Sequence, residues 1–283
     1  MAGRQLQHVT AIRPARPGEL SRLGPLYVRS GFDARLAKVV GFARARLGGE
    51  VFVAVPEGEL AGVAAGAWFG ATGWVGGVAV APERRRAGLG GALTEAVIAH
   101  LQGRGAATVL LHATDAGRRV YQRLGFLAEG EYLTLAGPPL PAAGPAGNGV
   151  RPGQAGDLAA VSALDRQATG EDRTRLLAAL WPAGGLVAGE QGAARGFHLA
   201  SPWRPGGATV AADPQAGLSL LQAASRVDAG EVSVSVPDGN QAARRALAAA
   251  GFRERSRTTR MHLGPPVPWR PAAQFGSLTL FWG

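Results

Sequence analysis

A run of proline, glycine and alanine divides the chain near its middle. The segment AGPPLPAAGPAGNG, residues 136–149 of 283, can hold neither a helix nor a central strand, because proline has no amide hydrogen and glycine weakens both elements. We therefore interpret residues 137–149 as a linker. It separates a first domain, residues 1–136, from a second, residues 150–283, and each is long enough to bury a core.

The segments on either side of this linker resemble each other. IRPARPGELSRL, from Ile12, has a counterpart in VRPGQAGDLAAV, from Val150. VYQRLGF, ending at Phe126, has one in ALAAAGF, ending at Phe252. An alternating apolar strand precedes the second motif in both halves, TVLLHAT in the first and EVSVSVP in the second. The same order at similar spacings predicts a duplicated domain.

The first half mixes strands with helices. Leu89, Leu93, Val97 and Leu101 are spaced four residues apart and fall on one face of a helix. This helix lies within a series of alternating elements, which predicts an α/β or α+β fold with a mixed central sheet flanked by helices. Strands are predicted near residues 8–14, 50–56, 60–69, 73–81, 107–113 and 129–135, and further helices within 16–29, 33–47 and 116–124.

Composition excludes several classes of function. The chain has no cysteine, which excludes disulfides and thiolate catalysis. Its net charge of +10 comes almost wholly from arginine, since Lys38 is its sole lysine. The arginines are scattered and not interleaved with stacking aromatic residues, so we do not expect a nucleic-acid partner. A local cluster such as Arg84–Arg86 is better suited to a small anionic ligand.

Residues 61–82 carry no charge, so a membrane span is one interpretation of this segment. Gly62, Gly66 and Gly70 have the small-residue spacing of packed membrane helices, but the segment is rich in glycine, and GATG at 70–73 is typical of a turn. Two strands joined by a hairpin are the better interpretation. The start, MAGRQLQHVTAIRP, has no apolar core of signal-peptide length, so we expect a cytoplasmic protein without a membrane partner.

The stretch VAVAPERRRAGLGGAL, residues 78–93, passes from an apolar strand through charged residues to glycines and a helix. Gly88 and Gly90 lie at this transition, where the first amides of the helix have no partner and the helix dipole attracts anions. Glycine also lets the backbone approach a phosphate closely. The stretch has neither the Gly-Lys-Ser/Thr of a Walker A loop nor the final glycine of the dinucleotide fingerprint. It predicts a phosphate-binding loop of another kind.

Arg85-x-x-Gly88-x-Gly90 after an apolar strand resembles the Arg/Gln-x-x-Gly-x-Gly/Ala motif of the GCN5-related N-acetyltransferase (GNAT) family. Downstream, LHATDAGRRVYQRLGF at residues 111–126 resembles the strand-helix segment of that family, which ends in Tyr-x-x-x-Gly-Phe. This resemblance covers residues 10–136, and the second half is similar to the smaller C-terminal domain of tandem members. It implies two acyl-CoA N-acyltransferase-like (GNAT) domains in tandem, of which the second is degenerate.

The resemblance implies acetyl-CoA as a co-substrate and no metal ion. The strand before the loop is expected to face the pantetheine arm, where a main-chain N–H polarises the thioester carbonyl. The loop amides are expected to hold the pyrophosphate, with Arg85 adding charge. The cofactor-binding residues that it implies are Val78, Ala79, Val80, Arg85, Arg86, Ala87, Gly88, Leu89, Gly90 and Gly91.

Tyr121 occupies the usual proton-donor position of the family, which implies that it protonates the departing CoA thiolate. A phenol with a pKa near 10 is a suitable acid for a thiolate of similar basicity. The alternative is that Tyr121 only packs its helix on the sheet. The general base stays open: Glu83 is expected to be a solvated loop charge, His112 and Asp115 end the next strand, and His112 or a chain of water molecules are the alternatives.

The second half departs from the family pattern at the places that matter. VAADPQAGLSLL, residues 210–221, has Gln215-Ala216 in place of the arginine cluster and lacks the Gly-x-Gly. Leu247 stands at the position that matches Tyr121. We therefore expect no acetylation in this half, which we predict to cover one side of the acceptor site or to hold the pair together.

The C-terminal segment QFGSLTLFWG, from Gln274, is apolar and aromatic. An exposed apolar tail promotes aggregation, so we expect it to dock, either as a strand or across the domain interface. Trp203, Trp269 and Trp282 are expected to be packing residues, and lining an acceptor pocket is the alternative.

These observations lead to a main functional hypothesis and an alternative. The first is an N-acetyltransferase that transfers the acetyl group of acetyl-CoA to a primary amine by direct attack in a ternary complex. The acceptor, a small molecule or a protein amine, is not specified by the sequence. The alternative is a non-catalytic acyl-CoA-binding sensor, and the presence of Tyr121 favours catalysis.

Overall fold

The computed structural model describes residues 11–140, 149–225 and 231–282. Residues 8–10 of the first predicted strand and most of the predicted linker, residues 141–148, lie outside the described residues. The elements of the first half are β1 (Ile12–Pro14), α1 (Leu23–Arg29), α2 (Leu36–Arg46), β2 (Val51–Ala54), β3 (Gly62–Phe69), β4 (Thr72–Val80), α3 (Leu89–Gly103), β5 (Thr108–Ala113), α4 (Asp115–Arg123) and β6 (Leu127–Gly137).

The second half repeats this order of strands and helices and adds one short strand at its end. Its elements are β7 (Val150–Pro152), α5 (Leu158–Thr169), α6 (Thr174–Leu180), β8 (Gly185–Glu190), β9 (Ala193–Ala200), β10 (Gly207–Ala211), α7 (Pro214–Ala224), β11 (Val232–Pro237), α8 (Gln241–Ala249), β12 (Arg253–Leu263) and β13 (Gln274–Gly276). The predicted duplication and the predicted mixture of strands and helices are confirmed.

The larger sheet combines strands of both halves. Its order is β1-β2-β3-β4-β5-β12-β6-β11, so that β12 of the second half lies between two strands of the first. Thr259 of β12 is opposite Ala113 of β5 on one side and Glu131 of β6 on the other. In return, β6 of the first half lies between β12 and β11, with Leu133 opposite Val236. Each half therefore completes the sheet of the other.

The smaller sheet belongs to the second half alone and has the order β13-β10-β9-β8-β7. In the first half, β4 pairs with β5, whereas the equivalent strand β10 pairs with β13. The short strand β13 also contacts β11 and so separates it from β10. The two halves therefore differ between β4 and β5 and their equivalents β10 and β11, which is where a ligand site was predicted in the first half.

Helix α3 packs on the β3–β4 hairpin of the first half. Its predicted apolar face is confirmed, since Leu93, Val97 and Leu101 are buried. Leu101 lies so close to the sheet that a Cβ added at Gly73 would be 2.9 Å from its Cδ2 atom, which explains the glycine there. The predicted hairpin is also confirmed, with Phe69 opposite Thr72 across a tight turn. None of the helices in the described residues combines the length and apolar character that a membrane span needs.

Candidate active site

The strands β4 and β5 are paired at their first residues and then diverge. The parallel ladder runs from Thr72↔Thr108 to Trp74↔Leu110 and ends there, although both strands continue. A bulge lies just beyond this point, where Gly77 has a φ of 60°. Bulges bend a strand and increase its twist, which turns β4 away from β5. We call the resulting gap the β4–β5 fork.

The edge of β4 that borders the fork has free backbone groups. Ala81 donates a hydrogen bond to the Ala61 carbonyl at 2.8 Å, so the backbone groups of Ala81 face β3. Because these groups alternate along a strand, those of Val80 and Val78 face the fork. Consistent with this, the Val80 carbonyl accepts a bond from Arg85 on that side at 3.2 Å. Ala79, between them, is buried.

The loop after β4 presents a row of free amides. Gly88 is the N-cap residue of α3 and has a φ of 79°, and Arg86 also has a positive φ, 64°. The amides of residues 86–91 donate to no acceptor among the described residues. Residues 86–88 are exposed, and residues 89–91 are half-buried. Free amides at the start of a 15-residue helix, reinforced by its dipole, form an anion-binding site.

Arg85 holds this loop in place. Its Nη2 donates to the Ser30 carbonyl at 2.8 Å, and its Nε donates to the Val80 carbonyl. The guanidinium thereby ties the loop to the end of α1 and to the fork edge of β4. Its positive charge remains beside the free amides and is not paired with a carboxylate among the described residues.

Tyr121 lies on α4, which begins directly after β5 at the open end of the fork. Its ring points back along the helix, so that a Cβ added at Gly117 would lie 3.0 Å from the Tyr121 Cε2 atom. Phe126 packs against the ring edge-on at 6.0 Å between centroids. Burial raises the pKa of Tyr121 to about 12, so the phenol is protonated at neutral pH. Its hydroxyl forms no hydrogen bond with the described residues.

The predicted site residues therefore meet at one end of the sheet. Parallel strands end at the same edge, so the loop after β4 and the helix after β5 start side by side. A Cβ added at Gly91 of α3 would lie 3.8 Å from Val120 Cγ1, next to Tyr121 on α4. The fork edge and the free amides border one region, and the helix that carries Tyr121 starts beside it.

The predicted alternatives for a general base lie in different environments. Glu83 is exposed and forms an ion pair with Arg29 at 3.4 Å. His112 is stacked on Trp74 at 5.2 Å and contacts Tyr132 edge-on at 4.5 Å between ring centroids. Neither of its nitrogens has a partner among the described residues. Burial, together with the charge of Arg260, lowers the pKa of His112 well below its usual range, so the ring is neutral.

Two charged residues near the fork were missed by sequence reasoning. Glu171 is 1% exposed, and its Oε2 accepts hydrogen bonds from Trp74 Nε1 at 2.7 Å and from the Thr72 hydroxyl at 3.1 Å. Arg260 stacks on Trp74 at 4.9 Å and donates to Glu129 at 2.7 Å. Both come from the second half: Arg260 lies on the exchanged strand β12, and Glu171 lies in the connection between α5 and α6. Nothing in the local sequence pattern indicates this contact.

The C-terminal tail covers the β4 bulge. A Cβ added at Gly76 would lie 2.6 Å from Phe281 Cδ2. Trp282 is fully buried, with its ring 6.2 Å from that of Phe42 and 5.5 Å from that of Trp203. The prediction that this segment docks is confirmed, both as strand β13 and by contact with the first half. Trp203 and Trp282 are packing residues, as expected.

Trp269 is also engaged in packing. Its ring stacks on Tyr132 at 5.9 Å, and its indole nitrogen donates to the Gln274 side chain at 2.7 Å. The Arg260 guanidinium also lies over the Trp269 ring, 4.8 Å from its centroid. Trp269 thus helps to hold the tail and β12 together.

The second half lacks these features at the equivalent place. The Asp213 carboxylate caps α7 and accepts a bond from the Ala216 amide at 3.0 Å, and Pro214 has no amide to offer. Phe275 of β13 packs against α7, so that a Cβ added at Gly217 would be 2.5 Å from it. Leu247, at the position of Tyr121, is fully buried. An anion at this helix start would meet a carboxylate, and β13 fills the space beside it.

No group of three or more histidine, cysteine, aspartate or glutamate side chains that could hold a metal ion occurs in the part of the chain that the structure describes.

Comparison with known proteins identifies two related regions in the chain. Residues 24–126 match the family model described as "Acetyltransferase (GNAT) family". Residues 161–276 match a second model, described as "Acetyltransferase (GNAT) domain". No curated protein matches the chain.

Solved structures share the architecture of the whole chain. A candidate acetyltransferase from Pyrococcus horikoshii has 20% identity and a TM-score of 0.83, with 100% of this chain and 99% of that chain covered. A GCN5-related N-acetyltransferase from Sphaerobacter thermophilus has 20% identity and a TM-score of 0.61, covering 90% and 95%. A tandem GNAT protein from the clavulanic acid biosynthesis pathway has 16% identity and a TM-score of 0.61, covering 90% and 99%. At these identities the likeness establishes the fold.

Proposed function

The chain belongs to the GNAT acetyltransferase family, with two GNAT domains in tandem, and we propose that its first half is an acetyl-CoA-dependent N-acetyltransferase. The second half, in this proposal, supports the first and does not acetylate. The acceptor is a primary amine of a small molecule or a protein.

One observation carries the proposal: free amides and an unpaired strand edge border the same fork, in the first half only. The amides of residues 86–91 suit the pyrophosphate of CoA, since they are unpaired and lie at a helix start. The backbone groups of Val78 and Val80 face the fork and suit the amide-rich pantetheine arm. In the second half, Asp213 and β13 occupy the corresponding positions.

The chemistry then uses groups of this chain in two roles. The acceptor amine attacks the acetyl carbon, a C–N bond forms and the C–S bond breaks. A fork-facing main-chain N–H, from Val78 or Val80, stabilises the negative charge that develops on the carbonyl oxygen. Tyr121 gives its proton to the departing thiolate, and its raised pKa ensures that this proton is present at neutral pH.

The proton that the amine loses passes to solvent, and we assign no side chain to this step. His112 is neutral, as a base must be, but its ring is buried between Trp74 and Tyr132. Glu83 is exposed and paired with Arg29. A chain of water molecules is the remaining route.

A non-catalytic acyl-CoA sensor is the second candidate, and one observation favours it. Phe281 and Trp282 cover the β4 bulge, which restricts access of an acceptor from that side. Such a protein would bind CoA through the same loop but release no thiol.

A thiol-release assay separates the two candidates. The full chain is incubated with acetyl-CoA and a panel of amino acids, polyamines, aminoglycosides and peptides with free N-termini, and free CoA thiol is measured. We expect release that depends on one class of amine and falls in Tyr121→Phe. Binding of acetyl-CoA without release for every amine would favour the sensor.

A further inference from the structure

The second half contains a pocket that the proposed function does not use. Its volume is about 370 Å³, within the range of small-molecule sites. The pocket is lined by residues at the end of α7 and by the first residue of β10. The position equivalent to residues 86–91 of the first half is at the start of α7. None of the residues that border the β4–β5 fork lines it.

The pocket exists because β10 and β11 are held apart. The short strand β13 pairs with Thr209 and Val210 of β10 and fills only part of the gap between the strands. β13 ends at Gly276, which is opposite Thr209 and lies close to the Gly207 carbonyl, so among the described residues no paired strand continues beyond Gly207 at this end of the gap. The loop that leads into β10 spans this end of the gap, and Gly206 approaches the backbone of Ser233 on β11.

Arg204, on that loop, is the one charged residue that lines the pocket. Its Nη1 donates to the Ser235 hydroxyl at 3.1 Å and its Nη2 to the Ser277 carbonyl at 3.0 Å, and both partners are neutral. Its Nε is buried without a partner, and the guanidinium forms no ion pair with a carboxylate of the described residues. Burial lowers the pKa of Arg204 to about 10, so it remains a cation at neutral pH.

Arg204 is half-buried, and a partly desolvated cation without a counter-ion is costly, so an anion beside it would remove part of that cost. The charge and polarity of the remaining lining residues indicate what the rest of the ligand must be. His198 binds Thr209 through Nδ1 at 2.8 Å, and burial lowers its pKa to about 4, so it adds no charge at neutral pH. The other residues that line the pocket are apolar or small. The larger apolar ones are Leu140, Leu186, Leu221, Val232 and Val234.

We propose that this pocket binds a small monocarboxylate with an apolar body, whose carboxylate pairs with Arg204. One cation and apolar walls suit a single negative charge on a hydrophobic molecule, whereas a phosphate would need more donors to replace its water. The site is separate from the CoA loop and does not depend on the proposed function.

Calorimetric titration of the full chain with hexanoate and with hexanamide tests this proposal. The two probes share an alkyl chain and differ in charge. We expect hexanoate to bind about tenfold more tightly or better, because a charge-assisted hydrogen bond adds to the apolar contacts. In Arg204→Gln this preference should disappear. Arg195→Gln is the matched control, since Arg195 is an exposed arginine of the same half that pairs with Asp213 at 2.9 Å.

A second variant tests the pocket itself. Ala224→Phe places a ring at the end of α7 in the pocket wall, and it should abolish the binding of both probes. Titration of each variant with CoA shows whether the first half is intact. Equal affinities for hexanoate and hexanamide in the natural protein, no binding of hexanoate, or an unchanged preference in Arg204→Gln would each overturn the proposal, whatever the result with CoA.

Discussion

The carboxylate of Glu171 accepts a hydrogen bond from the indole nitrogen of Trp74 at 2.7 Å, across 97 residues of chain. Trp74 is the last residue of β4 that pairs with β5, so this bond lies where the fork begins. The second half therefore contacts the candidate active site directly, through a buried carboxyl group. Because Glu171 titrates, we expect its contribution to the free energy of unfolding to depend on pH.

Burial raises the pKa of Glu171, and the charges of Arg260 and Arg173 oppose this shift. The folded chain therefore holds the proton more tightly than the unfolded chain does, so this residue stabilises the fold at low pH. That contribution is lost as the pH rises through the interval between the unfolded and the folded pKa. We expect the free energy of unfolding of the natural protein, relative to that of Glu171→Gln, to fall as the pH rises from about 4, the pKa of an unfolded glutamate, through the raised pKa of the folded state.

Chemical denaturation of both proteins across this range measures the difference. Glu95→Gln, at an exposed position of α3, gives the background change. If the free energy of unfolding of the natural protein instead rises with pH relative to that of Glu171→Gln, Glu171 is stabilised as a carboxylate, contrary to this account.

Tyr121→Phe removes the hydroxyl and keeps the ring that packs against Phe126. Because the ring is retained, the affinity for CoA should change little. Turnover should fall about 10²-fold or more if the phenol supplies the proton to the thiolate. Steady-state kinetics and CoA titration on the same preparations make this comparison, and an unchanged kcat would remove Tyr121 from the mechanism.

Gly90→Val tests whether the amides of residues 86–91 bind CoA, without straining the backbone. Gly90 has no positive φ, and a Cβ added there would have only Val80 Cγ2 nearby, at 3.8 Å. The fold should therefore accept the side chain, whereas bound pyrophosphate should not. We expect the Kd for CoA to rise about tenfold or more. Gly88 is a poorer position for this test, because its φ of 79° would strain any other residue.

Gly103→Val is the matched control for this variant. It lies at the other end of α3, also has no positive φ, and an added Cβ there would contact nothing within 4 Å. Its affinity for CoA should equal that of the natural protein. A similar loss of affinity in both variants would indicate a general effect on α3 and not a diphosphate at its start.

Residues 1–136 should not fold when they are produced alone. β12, from the second half, lies between β5 and β6, so this fragment lacks a strand in the middle of its sheet. We expect no cooperative thermal unfolding of the fragment by circular dichroism, and recovery of a folded complex when residues 150–283 are co-expressed with it. Cooperative unfolding of the isolated fragment would show that the exchanged strand is dispensable.

The sequence was sufficient to predict the features that depend on local patterns. The β3–β4 hairpin, the apolar face of α3 and the repeat of elements follow from periodicity and turn residues, which act within one segment. The position of residues 86–91 at a helix start was predicted for the same reason. The sequence also indicated that their amides have no partner within the helix, and the structure shows that no other acceptor among the described residues binds them.

The exchange of β6 and β12 could not be predicted, because either strand has the same alternating pattern in its own half as in the other. Arg260 was missed as a result, since it reaches Trp74 on the exchanged strand β12. Glu171, between α5 and α6, was missed because its bond to Trp74 joins residues 97 positions apart in the chain. The insertion of β13 beside β10, at the position equivalent to the β4–β5 fork, was also not predicted. A three-residue strand gives no periodic signal, and Phe275 shows its role only by its contact with Gly217.

The central claim is that the amides of residues 86–91 hold the diphosphate of CoA. Backbone ¹H–¹⁵N spectra of the full chain, recorded during titration with CoA, observe these amides directly. The account predicts the largest shifts at Arg86 to Gly91 and none at residues 215–217 at the start of α7. Saturable binding of CoA that leaves the amides of residues 86–91 unshifted would contradict it.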